Sequence, residues 1–190
     1  MQKYQLTTIG QFHTNHNEDA IADYKIGDDL IMLAVMDGCS MGTESHFAST
    51  LISKILRKTA KEISFKAFIE KNEKSPDEYL KAILKQLFSE LKEIKNRLLL
   101  EKEELLSTLI LCVLNRKNKE AEIIAIGDGL ICCNGQYTEY EQDNKPDYLG
   151  YHLDKDFEEW FQTQEQKLSL THINDLSIST DGIFLSLIHI

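Results

Sequence analysis

The chain has 190 residues, and its 21 Lys and Arg against 31 Asp and Glu leave a formal charge of −10. That balance argues against a basic face for nucleic-acid phosphates or an anionic membrane surface. An apolar content of 42% is ordinary for a globular chain and a poor fit to disordered, collagen-like or fibrous classes. A single domain, 1–190, with a core large enough to need no staples is expected. The opening Met-Gln-Lys-Tyr-Gln-Leu-Thr-Thr has no basic stretch leading into an apolar run, and no segment approaches the roughly 18 apolar residues of a membrane span. A cytoplasmic protein is the expectation. Cys39, Cys112, Cys132 and Cys133 have the spacing of neither a zinc site nor a disulfide scaffold, and read as reduced, mostly buried thiols.

In chain order, residues 3–9 alternate weakly and predict a strand. Two runs, 21–26 and 30–36, flank Gly27-Asp28-Asp29 and predict a hairpin, the second run being apolar throughout. From residue 44 to 69 the pattern turns helical, with Phe47, Ala48, Leu51, Ile52, Ile55 and Leu56 on one stripe. Ser75-Pro76-Asp77-Glu78 has the form of a capping box with Pro at the first helical position. Leu80, Leu84, Leu87, Leu91, Ile94 and Leu98 follow at helical spacing and predict a second long helix packed on a sheet. Strands are predicted again at 105–115, 121–126, 130–133, 136–140, 168–170 and 176–180, with Asn134-Gly135 as a hairpin turn. Residues 141–167 read as polar and irregular. Strands, then two helices, then strands is the order of antiparallel sheet layers covered by helices, not of a parallel α/β sheet.

The chemistry is expected at strand ends. Asn17-Glu18-Asp19-Ala20 precedes the first hairpin strand, Asp37-Gly38 ends the second, Gly127-Asp128-Gly129 interrupts an apolar run, and Thr180-Asp181-Gly182 ends the last strand. Each Asp-Gly alone is an ordinary turn pair. Together they can bring carboxylates to one end of a core, with glycine allowing close backbone approach and a carbonyl ligand. Carboxylate and carbonyl oxygens suit hard cations such as Mg²⁺ or Mn²⁺, and two such ions can drive in-line displacement at phosphorus.

This set, with Val35-Met36-Asp37-Gly38-Cys39-Ser40-Met41-Gly42 and Ser107-Thr108 in the same order, resembles the metal-dependent serine/threonine protein phosphatases of type 2C, in a divergent bacterial-like branch. The resemblance implies an α+β fold, two antiparallel sheets packed as a sandwich with helices on the outside (α/β/β/α layers). It implies two Mn²⁺ or Mg²⁺ ions and a third held more weakly. Asp37 would bridge the two metals, Glu18 and the Gly38 carbonyl would serve one, Asp181 the other, and Asp128 the third. Asp37 and Asp181 would thereby be catalytic, with Asp19 standing behind the ligands. The implied reaction is hydrolysis of phosphoserine or phosphothreonine in a protein by metal-activated water, with no phosphoenzyme. The implied partners are phosphorylated protein substrates, opposing a Ser/Thr kinase in signalling; neither nucleic acid nor membrane is expected.

There are departures from the family pattern. The family's phosphate-gripping arginine is missing from His13-Thr14-Asn15-His16. Thr14 falls at its position, and His13 can take only part of its role. Cys39 stands where the family has a motif histidine, and a thiol is a poor acid for an alcohol leaving group. The family's last aspartate lies tens of residues beyond the Asp181 motif, whereas nine residues follow Asp181 in this sequence. A domain without its last strands and helix is therefore expected. The alternative expectation is a catalytically inactive relative that binds phosphorylated partners through the same surface.

Overall fold

The computed structural model describes residues 3–7, 17–39, 45–70, 74–142 and 147–182. The hairpin is β1 (Asp19–Lys25) and β2 (Leu30–Asp37), in antiparallel register with Asp19 opposite Asp37. Two long helices follow, α1 (Ser45–Glu70) and α2 (Pro76–Leu98). The other strands are β3 (Leu109–Asn115), β4 (Glu120–Ile126), β5 (Gly129–Cys133), β6 (Gln136–Tyr140), β7 (Lys167–Leu170) and β8 (Leu176–Ser179). A short helix, α3 (Phe157–Thr163), lies between β6 and β7.

The strands form two antiparallel sheets, one of order β1-β2-β3-β4-β7 and a smaller one of order β6-β5-β8. Helices α1 and α2 lie on one face of the larger sheet, α1 against β1 and β2, α2 against β3 and β4. The smaller sheet covers the other face. Among the described residues the outer face of that smaller sheet carries no helix.

Strands β2, β3 and β4 read as unbroken apolar runs because both of their faces are covered. Alternate residues divide cleanly between two cores. Leu30, Met32, Ala34, Met36, Leu109, Leu111, Val113, Ile124 and Ile126 meet the helices. Leu33, Val35, Ile110, Cys112, Leu114, Ile123 and Ala125 meet the smaller sheet. By that parity Asp37 and Asp19, two residues from Val35 and Ile21 along their strands, lie on the face toward the gap between the sheets.

The α2 start matches its sequence signal. Ser75 Oγ accepts from the Glu78 N–H at 3.3 Å, and the Ser75 N–H donates to Glu78 Oε2 at 2.8 Å. Ser75→Ala removes one half of this box and should cost about 1 kcal/mol, read as a lower urea midpoint with an unchanged slope.

Three expectations need correction. Residues 3–7 form no strand; Lys3 and Gln5 instead reach the Asp23 carboxylate, and residues 8 and 9 lie outside the described residues. The strand predicted from residue 105 begins at Leu109, because Lys102–Leu105 is a 3₁₀ turn that buries Leu105. The supposedly irregular stretch 141–167 contains α3, capped by Asp156 and burying Trp160 and Phe161 against Phe88 and Phe157. The four cysteines are free thiols. No helix among the described residues is long and apolar enough to cross a membrane.

Candidate metal centre

Three segments bring carboxylates to one end of the gap between the sheets. The first is the entry to β1. Asn17 Oδ1 accepts from the Asp19 N–H at 3.0 Å, a local turn that sets Glu18 just before the strand. The Glu18 carbonyl accepts from the Gly38 N–H at 3.2 Å and from Ser49 Oγ on α1 at 2.5 Å. Glu18, Asp19, Asp37 and Gly38 are thus locked together at the rim of the hairpin.

The second segment is the end of β2 with its neighbour leading into β3. The Asp37 N–H donates to Thr108 Oγ1 at 3.2 Å, and the Thr108 N–H returns a bond to the Asp37 carbonyl at 2.9 Å. Gly38 forms an isolated bridge with Ser107, which is fully buried. Asp37 therefore leaves the sheet on a backbone held from both sides. Thr108→Val keeps the shape but strands the Asp37 donor, and should cost about 1–3 kcal/mol; Thr108→Ser should recover most of it. Urea titration of the two variants checks this.

The third segment is where the chain crosses to the smaller sheet. Gly127-Asp128-Gly129 joins β4 to β5, and Asp181 follows β8, which pairs with β5. Gly127 has φ +87°, and a Cβ there would stand 2.5 Å from the Asp147 carbonyl oxygen and 2.7 Å from Thr108 Cγ2. Only glycine fits this crossing. It delivers Asp128 with its Oδ1 buried and, among the described residues, without a hydrogen-bond partner.

The charges of these groups overlap. Burial, reinforced by the carboxylates of Asp19, Asp181 and Glu18, pushes the Asp37 carboxyl up to about 8, against the pull of the Gly38 N–H. Burial, then the charges of Asp181 and Glu141, pushes Asp128 up as well, opposed by a bond from the Gln142 backbone. Asp181 acts on both, so it lies near each of them. Among the described residues no three His, Cys, Asp or Glu side chains form a closed metal-binding group; the arrangement is an open mouth of carboxylates. Its chemistry fits a hard divalent cation. The donors are oxygens, a buried acceptor lacks a partner, and the mutual repulsion is of the sign a cation relieves.

A family model described as protein phosphatase 2C matches residues 12–189. The chain belongs to the protein phosphatase 2C family. A bacterial serine phosphatase bearing an arginine-to-glutamate mutation shares the fold at 15% identity, with a TM-score of 0.62, over 93% of this chain and 75% of that one. The phosphatase domain and a regulatory fragment of SpoIIE from Bacillus subtilis match at 18% identity with a TM-score of 0.52; the alignment covers 92% of this chain and 44% of the SpoIIE chain. RsbX, in a structure with magnesium, matches at 14% identity with a TM-score of 0.50, over 94% of this chain and 72% of its own. No curated protein matches the chain in sequence.

Of the site residues expected for this phosphatase 2C chain, Glu18, Asp19, Asp37, Gly38, Asp128 and Asp181 all lie at the same end of the sandwich. His13 and Thr14 lie outside the described residues, as does Ser40-Met41-Gly42. The sequence reasoning passed over Asp147 and Tyr148. Tyr148 packs with Cys39 and Leu106 under Asp37; burial and its hydrogen bond with the Cys39 thiol push its hydroxyl well above the usual tyrosine range. The signal was present in Tyr148-Leu-Gly-Tyr151, an aromatic and apolar run inside an otherwise polar stretch.

Proposed function

We propose that this chain hydrolyses phosphoserine and phosphothreonine in proteins with bound Mn²⁺ or Mg²⁺. The observation that carries the reading is the convergence of Glu18, Asp19, Asp37 and Asp181 from separate segments, tight enough that Asp37 keeps its proton to about pH 8. In this reading Asp37, Glu18, the Gly38 carbonyl and Asp181 would hold the ions, and the Asp128 carboxylate, with its buried Oδ1, would help hold a further one. Once bound, the ions supply an activated water and neutralise charge on the phosphoryl group.

The protein's own contribution is positional. The bonds between Asp37 and Thr108 fix the backbone that carries the Asp37 carboxylate. Asp19, opposite it on β1, adds negative charge that strengthens cation binding. Cys39, Leu106 and Tyr148 form a small buried cluster beside this end of β2. Substrates of this class are products of Ser/Thr kinases, so the natural partner is a phosphorylated protein.

The test is phosphate release from a phosphothreonine peptide with and without Mn²⁺. The reading expects release that a chelator abolishes and that Asp37→Asn lacks. Release no greater than that of the variant would overturn it. The second reading, a relative that only binds phosphorylated partners, has two observations in its favour: the described carboxylates do not close into a ligand cage, and Cys39 stands where the family has a histidine. It predicts peptide binding that survives Asp37→Asn.

A further inference from the structure

The gap between the two sheets has a second end. It opens where β2 begins and β3 ends, Leu30 pairing with Asn115. Seven residues of β2 separate this end from Asp37, about 23 Å at strand rise. Here lies a cavity of about 600 Å³, floored by Leu114 and Ile173. Its rim carries Arg116, Lys117 and Lys119, with Asp29 as the one carboxylate in the lining. In a chain of net charge −10, this is a local reversal of sign.

The rim is built rather than loose. Asn115 Oδ1 accepts from the Lys117 and Asn118 N–H groups, each at 3.1 Å, which folds the β3–β4 turn back on itself. The Arg116 N–H donates to the Asp29 carbonyl at 2.9 Å, tying the turn to the β1–β2 loop. Lys119, in the left-handed region at φ 56°, accepts from the Ile173 N–H at 3.0 Å. Its Nζ donates to Asn174 Oδ1 at 3.0 Å. Asn134 Oδ1 accepts in turn from the Asn174 and Asp175 N–H groups. Arg116 and Lys119 are thereby braced to two separate loops, and Asn134 fixes the second of these. No ion pair to a carboxylate engages any of the three cations among the described residues; the Arg116 guanidinium donates to the Asp28 carbonyl, at 3.2 Å.

We propose that this cleft is a binding site for a small organic phosphate of about nucleotide size. The guanidinium of Arg116 offers a planar fork suited to phosphate oxygens, and Lys117 and Lys119 add point charges. Asn174, its Oδ1 engaged by Lys119, also lines the cleft. Leu114 and Ile173 take the apolar part. The volume lies within the usual range of small-molecule sites, about 300–1,000 Å³. The site lies at the far end of the sandwich from the carboxylates, so it is not part of the substrate position proposed above and does not depend on that reading.

The probe is AMP, titrated into chelator-treated protein so that the carboxylate end carries no metal and repels phosphate. Binding is followed by calorimetry and by amide NMR shifts. The expected result is a dissociation constant of about 10–500 µM, shifts confined to residues near Asn118 and Asn174, and at least tenfold weaker binding in Arg116→Ala/Lys117→Ala. That variant lies on an exposed turn and should keep its melting temperature, which shows that it folds. A second arm uses adenosine, which should not bind because it lacks the phosphate. Absence of AMP binding below millimolar concentration overturns the proposal. So does equal binding by the variant, or shifts centred on Gly38 rather than on the β3–β4 turn.

Discussion

Replacing Asp37 by Asn should lower Mn²⁺-dependent phosphate release by about two to three orders of magnitude, and should at the same time stabilise the metal-free protein at alkaline pH. Both effects come from one fact: Asp37 is half-buried beside Asp19, Asp181 and Glu18, and its carboxyl is pushed from the usual 3.8 up to about 8. The folded chain therefore holds a proton that the unfolded chain releases near pH 4. A group whose folded value is raised gives stability at low pH that drains as pH climbs. For Asp37 the drain runs from about pH 4 to about pH 8 and then levels off. Asn has nearly the shape of the protonated acid and does not titrate, so its curve lacks this slope. Thermal melts of wild type and variant should coincide best near pH 4 and separate as pH rises, with the variant above. Saturating Mn²⁺ should reverse the order, because only the wild type gains the binding energy. Melting curves that stay parallel across this range would mean that Asp37 is not the strained carboxylate described above.

The second large effect is steric. Gly127→Ala places a methyl 2.5 Å from the Asp147 carbonyl oxygen and 2.7 Å from Thr108 Cγ2, at φ +87°. Neither neighbour is the free end of a flexible chain. The cost should be about 2–4 kcal/mol, which for a domain of this size lowers the melting temperature by roughly 4–16 °C. Gly135 is the control. It too has positive φ, +80°, but a Cβ there meets nothing within 4 Å. Gly135→Ala should cost only about 1 kcal/mol. Circular dichroism melts of the pair separate crowding from backbone strain, and equal losses would contradict the close packing of the Gly127 crossing. The same substitution should also weaken metal binding, since Thr108 clamps Asp37 on one side and packs against Gly127 on the other.

Much of this architecture was legible wherever local chemistry and global packing agree. The run Leu30–Met36 read as an apolar hairpin strand ended by Asp37, and the structure adds that both of its faces are covered. The Ser75 box specified its own helix. The Asp-Gly pairs became informative as a set, because each falls where a core strand ends. What stayed hidden depends on contacts made across the chain. Helix α3 has seven residues, too few for periodicity to show; it is stable because Trp160 and Phe161 find Phe88 and Phe157. Leu105 and Leu106 are as apolar as strand residues, yet Leu105 is buried by the 3₁₀ turn it ends and Leu106 packs with Cys39 and Tyr148 rather than joining β3. The importance of Asp147 rests on a backbone oxygen, which no side-chain pattern announces. The basic turn Arg116-Lys117-Asn118-Lys119 carries no motif, and only the fold sets it over the second end of the gap between the sheets.

The most direct test of the metal centre is calorimetric titration of Mn²⁺ at pH 7 into wild type and Asp37→Asn, each in two buffers of different ionisation heat. The account predicts saturable binding by the wild type with release of about one proton, and weaker binding by the variant with none. Equal affinity and equal proton release in the two proteins would contradict it.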